Sequence, residues 1–251
     1  MKKYFKGFYM SLGMFCAVPL PSRNWDDAYK NLALASLPLV GGIIGAFWWG
    51  AAELLVLSGV HAVPAAAIVA LVPFFATGFI HLDGYMDTSD AALSRRSAEE
   101  KLRILKDPHT GAFAVIMIAV LFVLQFASAY AAFVKAEYLA LFAAITVISR
   151  CCAAMSVFCL KIMPQSGYAN MFRQNTGAAQ KWFVIIIAVI PTVLSFLYAG
   201  FSGLIITAVA ALGYIAAMAF AYKDFKGVSG DLVGFSIVIG ELCGLFALAV
   251  I

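Results

Sequence analysis

Charge is what this sequence has little of. Asp, Glu, Lys and Arg make up 12% of its 251 residues, about half the share of a soluble domain. A soluble fold of this size has a large surface to keep in water, and 17 basic and 13 acidic side chains are too few to cover it. The five cysteines (Cys16, Cys151, Cys152, Cys159, Cys243) form no C-x-x-C pair and have no His at ligand spacing. A zinc site or a disulfide framework therefore has no support, and they read as small core hydrophobes. Internal repeats and low-complexity tracts are absent too. The amino-terminal stretch begins basic and continues apolar. It has no A-x-A-like cleavage site and carries Pro19 and Pro21 instead, so it does not read as a removable signal.

What remains is hydrophobic, at 64% against roughly 45–50% in globular proteins. A transmembrane helix takes about 20 apolar residues. The runs 32–57, 63–80, 112–134, 138–160, 182–199, 203–221 and 232–251 qualify. Segment 4–20 is apolar but short and interrupted by Lys6, which predicts a re-entrant or interfacial helix. The expectation is an all-α, polytopic integral membrane helix bundle of about seven transmembrane helices plus that N-terminal segment. It forms a single domain over 1–251, with 81–111 as its functional loop. The net charge of +4 would suit nucleic acid, but its placement argues otherwise. Loops 21–31 (Arg23, Lys30), 81–111, 161–181 and 222–231 fall on one side with the N-terminus, and they hold every basic residue except Lys135 and Arg150. Basic loops mark the cytoplasmic side, so the excess is an orientation signal and no nucleic-acid partner is expected.

One stretch differs from the rest: 81–94, HLDGYMDTSDAALS, directly after an apolar run. Asp83, Asp87 and Asp90 at i, i+4 and i+7 fall within about 60° of one another on a helix wheel. Like charges at that spacing destabilise a helix. The stripe makes physical sense if it binds Mg²⁺, which takes hard oxygen ligands and bridges carboxylates to substrate phosphates; a solvated helix face is the plainer alternative. Gly84 would let a substrate or metal approach the backbone. His81 points away from the stripe. Ser97-x-x-Glu100 predicts a capping box opening a short helix, which Pro108 should stop near Asp107. Arg95, Arg96, Arg103 and Lys106 suit phosphate oxygens, or simply serve the positive-inside rule.

Two charges interrupt apolar runs. Arg150 would cost about 2.5–3.5 kcal/mol at mid-membrane on insertion scales, so it should face the interior and find a partner. Glu241 is the candidate by elimination, as a structural pair or a substrate contact. The loop 226–234, KGVSGDLVG, places Asp231 at the entrance to the last run, where it reads as a nucleotide or metal contact or a plain turn.

These residues resemble the cobalamin synthase family, the adenosylcobinamide-GDP ribazoletransferases of cobalamin biosynthesis, over nearly the whole chain. The most specific element is His81-Leu82-Asp83-Gly84-x-x-Asp87-x-x-Asp90. Ile104 to Asp107 with Gly111-Ala112-Phe113, Ser149-Arg150, and Gly227 to Asp231 with Gly234 and Glu241 follow in order, and Phe15 to Pro21 is similar to the family's N-terminal stretch. One departure lies at Met163-Pro164-Gln165-Ser166-Gly167-Tyr168-Ala169-Asn170, where the family has proline-tyrosine-alanine-arginine; Arg173 stands further on. The resemblance implies Mg²⁺-dependent transfer between adenosylcobinamide-GDP and α-ribazole or its phosphate, releasing GMP at the cytoplasmic face of a bacterial or archaeal inner membrane. It assigns Asp83, Asp87 and Asp90 to Mg²⁺, with Asp90 as base. Lys106, Arg95 and Arg96 go to the diphosphate, and His81, Asp107 and Asp231 to ancillary roles. Gly84, Arg150, Arg173 and Glu241 go to the substrate side. Membrane lipid is the implied surroundings, and a homo-oligomer stays open.

Two other families share parts of this pattern. A CDP-alcohol phosphotransferase carries Asp-Gly-x-x-Ala-Arg, where this chain reads Asp83-Gly84-Tyr85-Met86-Asp87-Thr88. A cation-coupled transporter would use intramembrane charges, but this chain's polar residues gather at one boundary and have no matching second cluster.

Overall fold

A computed structural model describes residues 2–22, 25–164, 166–174 and 176–251; Arg23 and Gln165 lie outside the described residues. The helices are α1 (Lys2–Phe15), α2 (Lys30–Ala35), α3 (Leu37–Leu57), α4 (Ala62–Ala76), α5 (Ile80–Leu93), α6 (Ala98–Ile104), α7 (Ala112–Lys135), α8 (Leu141–Cys159), α9 (Gly167–Arg173), α10 (Ala178–Phe225) and α11 (Gly230–Val250). The fold is all-α, with no strand among the described residues. Five helices are long and apolar enough to cross a membrane, or six if the bent pair α4 and α5 counts as one span. This is a multi-pass membrane protein. The expected figure of about seven counts α4 and the two runs inside α10 separately. At 14 residues, α1 falls short of the roughly 20 a span takes.

α10 is not one straight rod. Gly200 takes φ 58°, ψ −138°, a region open to glycine and closed to side chains. A Cβ built on Gly203 would come 2.0 Å from the Ser195 carbonyl oxygen, an approach that eight residues of straight helix cannot make. The chain therefore reverses at Gly200, between the two apolar runs 182–199 and 203–221.

Where lipid is the solvent, helices associate through small residues that let backbones close up. Gly41 and Gly45 on α3 receive α8: Cβ atoms there would sit 2.7 Å from the Thr146 carbonyl oxygen and 2.4 Å from Ala143 Cα. The Thr146 hydroxyl donates across the contact to the Gly41 carbonyl at 2.8 Å. Trp48 stacks on Phe142 with ring centroids 4.4 Å apart, and its indole N–H donates to the Val69 carbonyl at 2.7 Å. α11 packs on α10 through Gly213 and Gly240.

The expected span 63–80 needs correction. Helix α4 stops at Ala76, and α5 leaves it at 91°. Thr77 ends α4 by turning its hydroxyl back onto the carbonyls of Pro73 and Phe74. Gly78 (φ 60°) and Phe79 (φ 64°) then take left-handed conformations that no helix passes through. The Ala76 carbonyl accepts from the Ala17 N–H at 2.8 Å, so the segment after α1 braces the bend.

The basic loops meet at one end of the bundle. Lys101 of α6 pairs with Asp224 at 2.5 Å, and Lys30 donates to Gln174 at 2.8 Å. Residues 161–163 and 228 form a short parallel bridge, Met163 N–H to the Val228 carbonyl and Val228 N–H to the Lys161 carbonyl.

Candidate functional site

α5 divides cleanly into two faces. His81, Leu82, Tyr85, Thr88, Ser89 and Ala92 are buried, while Asp83 is exposed and Asp87 and Asp90 are half-buried. Tyr85 fixes the helix on two sides: its hydroxyl donates to the Met117 carbonyl of α7 at 3.1 Å, and its ring stacks on Phe235 of α11. Gly84 lies against the start of α11, where a Cβ would meet the Asp231 carbonyl oxygen at 2.7 Å and Asp231 Cα at 2.8 Å. Gly234 receives the His81 backbone in the same way. The glycine expected to admit a ligand thus admits the neighbouring helix, and that contact delivers Asp231 to the stripe. Asp87 stands within electrostatic reach of Asp83, Asp90 and Asp231 together.

Asp90 has a structural tie that the sequence pattern did not show. Its Oδ1 accepts from the N–H groups of Phe113 and Ala114 at 3.2 and 3.4 Å, so it caps the N-terminus of α7, which lacks a capping side chain of its own at Gly111. A carboxylate is stabilised there by the free N–H groups and the helix dipole. Any Cβ at residue 111 would fall 2.0–2.4 Å from the Asp90 carboxylate. Gly111→Ala is therefore expected to push the carboxylate off its seat, lowering turnover at least tenfold while the bundle stays folded. Turnover beside a thermal melt in detergent checks this, and wild-type turnover would show that the seat is unimportant. The signal was available in the sequence, as a glycine just before an apolar run.

The two intramembrane charges pair as elimination suggested. Arg150, fully buried, forms an ion pair with Glu241. Ser149 joins them, accepting from Arg150 at 3.0 Å and donating to Glu241 at 3.1 Å. Nε and Nη2 of Arg150, and Nε2 of His81, are buried without a hydrogen-bond partner among the described residues. His81 lies within electrostatic reach of Arg150 and stacks on Phe15. Asp83, Asp87, Asp90, Asp231 and Gly84 are therefore gathered at one place, with His81, Arg150 and Glu241 in the adjoining interior.

The outer residues are differently placed. Arg95, Arg96 and Lys106 are exposed and make no ion pair among the described residues, which leaves them available to an anion. Ser97 and Glu100 form the expected capping box of α6; its hydrogen bonds hold the Glu100 carboxyl below the usual carboxylate range. Arg103 pairs with Glu99 on the surface. Asp107 is exposed and held by the His109 backbone N–H and ring, contacts that stabilise the carboxylate and lower its pKa from the usual value. Arg173 donates to the Leu160 carbonyl at 2.7 Å, a loop-tying role. The cysteines are free, and Cys159 is exposed rather than in the core.

No group of three or more His, Cys, Asp and Glu side chains among the described residues already closes on one metal position. The donor set still fits Mg²⁺, which keeps several waters and takes only one or two carboxylates beside substrate phosphates.

The family model for cobalamin-5-phosphate synthase matches residues 7–249. An adenosylcobinamide-GDP ribazoletransferase from Clostridium botulinum (strain Alaska E43 / Type E3) is 37% identical over 98% of this chain and 98% of its own. One from Clostridium perfringens (strain ATCC 13124) is 35% identical over the whole of both, and one from Geobacillus thermodenitrificans is 30% identical over 96% and 94%. No solved structure matches. With the match running from α1 to the end of α11 and taking in the stripe, the Arg150–Glu241 pair and Asp231, the chain belongs to the cobalamin-5-phosphate synthase family.

Proposed function

We propose that this protein joins adenosylcobinamide-GDP to α-ribazole or its phosphate with release of GMP, at the cytoplasmic face of the inner membrane. The observation that carries the reading is the convergence of four carboxylates from α5 and α11 at the bundle end where the basic loops meet. A diphosphate needs cations on both flanks, and phosphoryl transfer is catalysed mainly by positioning and charge neutralisation. Asp83 and Asp87 would hold Mg²⁺ and Asp231 would accept from its waters, the bound ion supplying positive charge to the phosphate oxygens. Arg95, Arg96 and Lys106 neutralise the other side of the diphosphate. A ribose hydroxyl attacks the phosphorus next to the cobinamide arm, the bond from that phosphorus to the bridging oxygen breaks, and GMP departs with that oxygen. Asp90 takes the hydroxyl proton on Oδ2, since Oδ1 is held by α7. His81 and the Arg150–Glu241 pair orient α5 from behind. The relatives' names favour neither a CDP-alcohol phosphotransferase nor a transporter.

The test is turnover by purified protein in detergent with adenosylcobinamide-GDP, α-ribazole and Mg²⁺. Corrinoid product and GMP should appear in equal amounts and stop on chelation with EDTA. No product, with ion flux in liposomes, would overturn the reading.

A further inference from the structure

The chain between α5 and α7 leaves from Asp90 and comes back to it. Arg95 and Arg96 follow directly on the end of α5, and Lys106 stands shortly before Gly111, which faces the Asp90 carboxylate. The three unpaired cations of this arm therefore flank a loop whose two ends meet at one carboxylate. Its middle is thinly attached. α6 buries none of its seven residues. Leu102 and Ile104 are half-buried and Leu105 is buried against the main core, but apolar burial gives adhesion without direction. The other polar side-chain contacts of the arm are local: Ser97 with Glu100, Arg103 with Glu99, His109 with Asp107. Among the described residues, one polar contact ties the arm to a distant part of the chain, the ion pair of Lys101 with Asp224. The two side chains are 12% and 29% exposed, so water and salt screen this pair less than an open surface pair. Asp224 stands at the end of α10, and the bridge at Val228 lies between it and Asp231. The pair thus joins the basic arm to the loop that delivers the fourth carboxylate.

We propose that Lys101 and Asp224 are positioning residues for the nucleotide diphosphate substrate, their ion pair fixing where the basic arm stands against the carboxylates. This rests on the transfer reading above and adds to it the register between the two flanks of the diphosphate. Asp224 occupies the Lys101 ammonium, so Lys101 acts through the arm, and Arg95, Arg96 and Lys106 meet the anion. With the pair gone, Leu102, Ile104 and Leu105 still keep the arm near the bundle. The fold then persists, and the cations no longer stand at a set distance from the metal site. Affinity for the diphosphate is what falls. α-Ribazole carries no diphosphate, so its binding is left alone.

The test combines kinetics with limited proteolysis of the full-length protein in detergent. Asp224→Asn and Lys101→Gln should each raise KM for adenosylcobinamide-GDP about tenfold, with kcat and KM for α-ribazole nearly unchanged, the pattern of lost uniform binding. The exchange of charges, Lys101→Glu with Asp224→Lys, should bring KM back to within about threefold of wild type, as expected of two residues that act on each other. Glu99→Gln, on the same helix, should change nothing. Trypsin gives a readout without substrate. Cleavage after Arg95, Arg96 and Lys106 should be about tenfold faster in Asp224→Asn, since it follows the population of the opened arm, while cuts elsewhere keep their rate. Single variants that cleave and bind as the wild type does overturn the proposal. So do variants that lower the melting midpoint with KM unchanged, which would make the pair structural, and an exchange variant no better than the singles. Wild-type protein that makes no corrinoid product, with the arm still loosened by Asp224→Asn, overturns the transfer reading instead and leaves the tie standing.

Discussion

Glu241→Ala is expected to cost about 3–5 kcal/mol of stability, the loss measured when one partner of a buried ion pair is removed. Arg150 is fully buried, and Glu241 is the acid it meets among the described residues. Two of its nitrogens already lack partners, so the truncated protein would hold an uncompensated cation with water excluded. The readout is the melting midpoint in detergent, with the monodisperse fraction on size exclusion. Arg150→Met combined with Glu241→Leu should recover most of the loss, because apolar replacement of a whole buried pair is often neutral or stabilising. A single variant that melts with the wild type would mean that Arg150 finds its counter-charge elsewhere, and a bound phosphate would then be the first candidate.

Asp87→Asn should behave in the opposite way, losing about 10²–10³-fold in kcat/KM, the scale of removing one preorganised electrostatic group from a transition state, while the fold holds or gains. Asp87 is the member of the stripe that feels Asp83, Asp90 and Asp231 at once. Removing its charge relieves two same-face repulsions on α5, each worth about 0.2–0.5 kcal/mol in a helix. The half-saturating Mg²⁺ concentration should rise as well. A variant that lost activity only in proportion to lost folded protein would make the carboxylate structural, and the metal assignment would go with it. The pair of results separates two uses of charge. On these expectations Glu241 would hold the bundle together, whereas Asp87 would strain it for the sake of chemistry.

Much of this was legible because charge is scarce. With so few ionisable side chains, the i, i+4, i+7 spacing of Asp83, Asp87 and Asp90 stood out against apolar runs, and Arg150 could be matched to Glu241 with almost no competitors. The capping box at Ser97 and Glu100 was legible for a local reason, since both partners lie within one turn. The bend after Ala76 was not. Hydropathy runs unbroken through Thr77-Gly78-Phe79, and a left-handed Phe79 has no signature in composition. Gly84 and Gly111 were misjudged or underused because what each glycine admits, Asp231 in one case and the Asp90 carboxylate in the other, comes from a distant part of the chain.

The right-angled elbow between α4 and α5 also bears on how the protein is made. Had the run continued straight, the insertion machinery would have met a helix with three aspartates, each costing about 2.5–3.5 kcal/mol at the hydrocarbon centre. Because the chain turns at Gly78 and Phe79, the carboxylates need never be offered to lipid as part of a span. α4, at 15 residues, is left too short to be a strong insertion signal by itself. Its residence in the bilayer then depends on partners such as Trp48 of α3, which bonds to its backbone at Val69. Insertion and the placing of the carboxylates are thus tied to the same turn at Gly78 and Phe79, and a substitution that straightens the elbow should fail first at insertion, before the enzyme has a chance to be inactive.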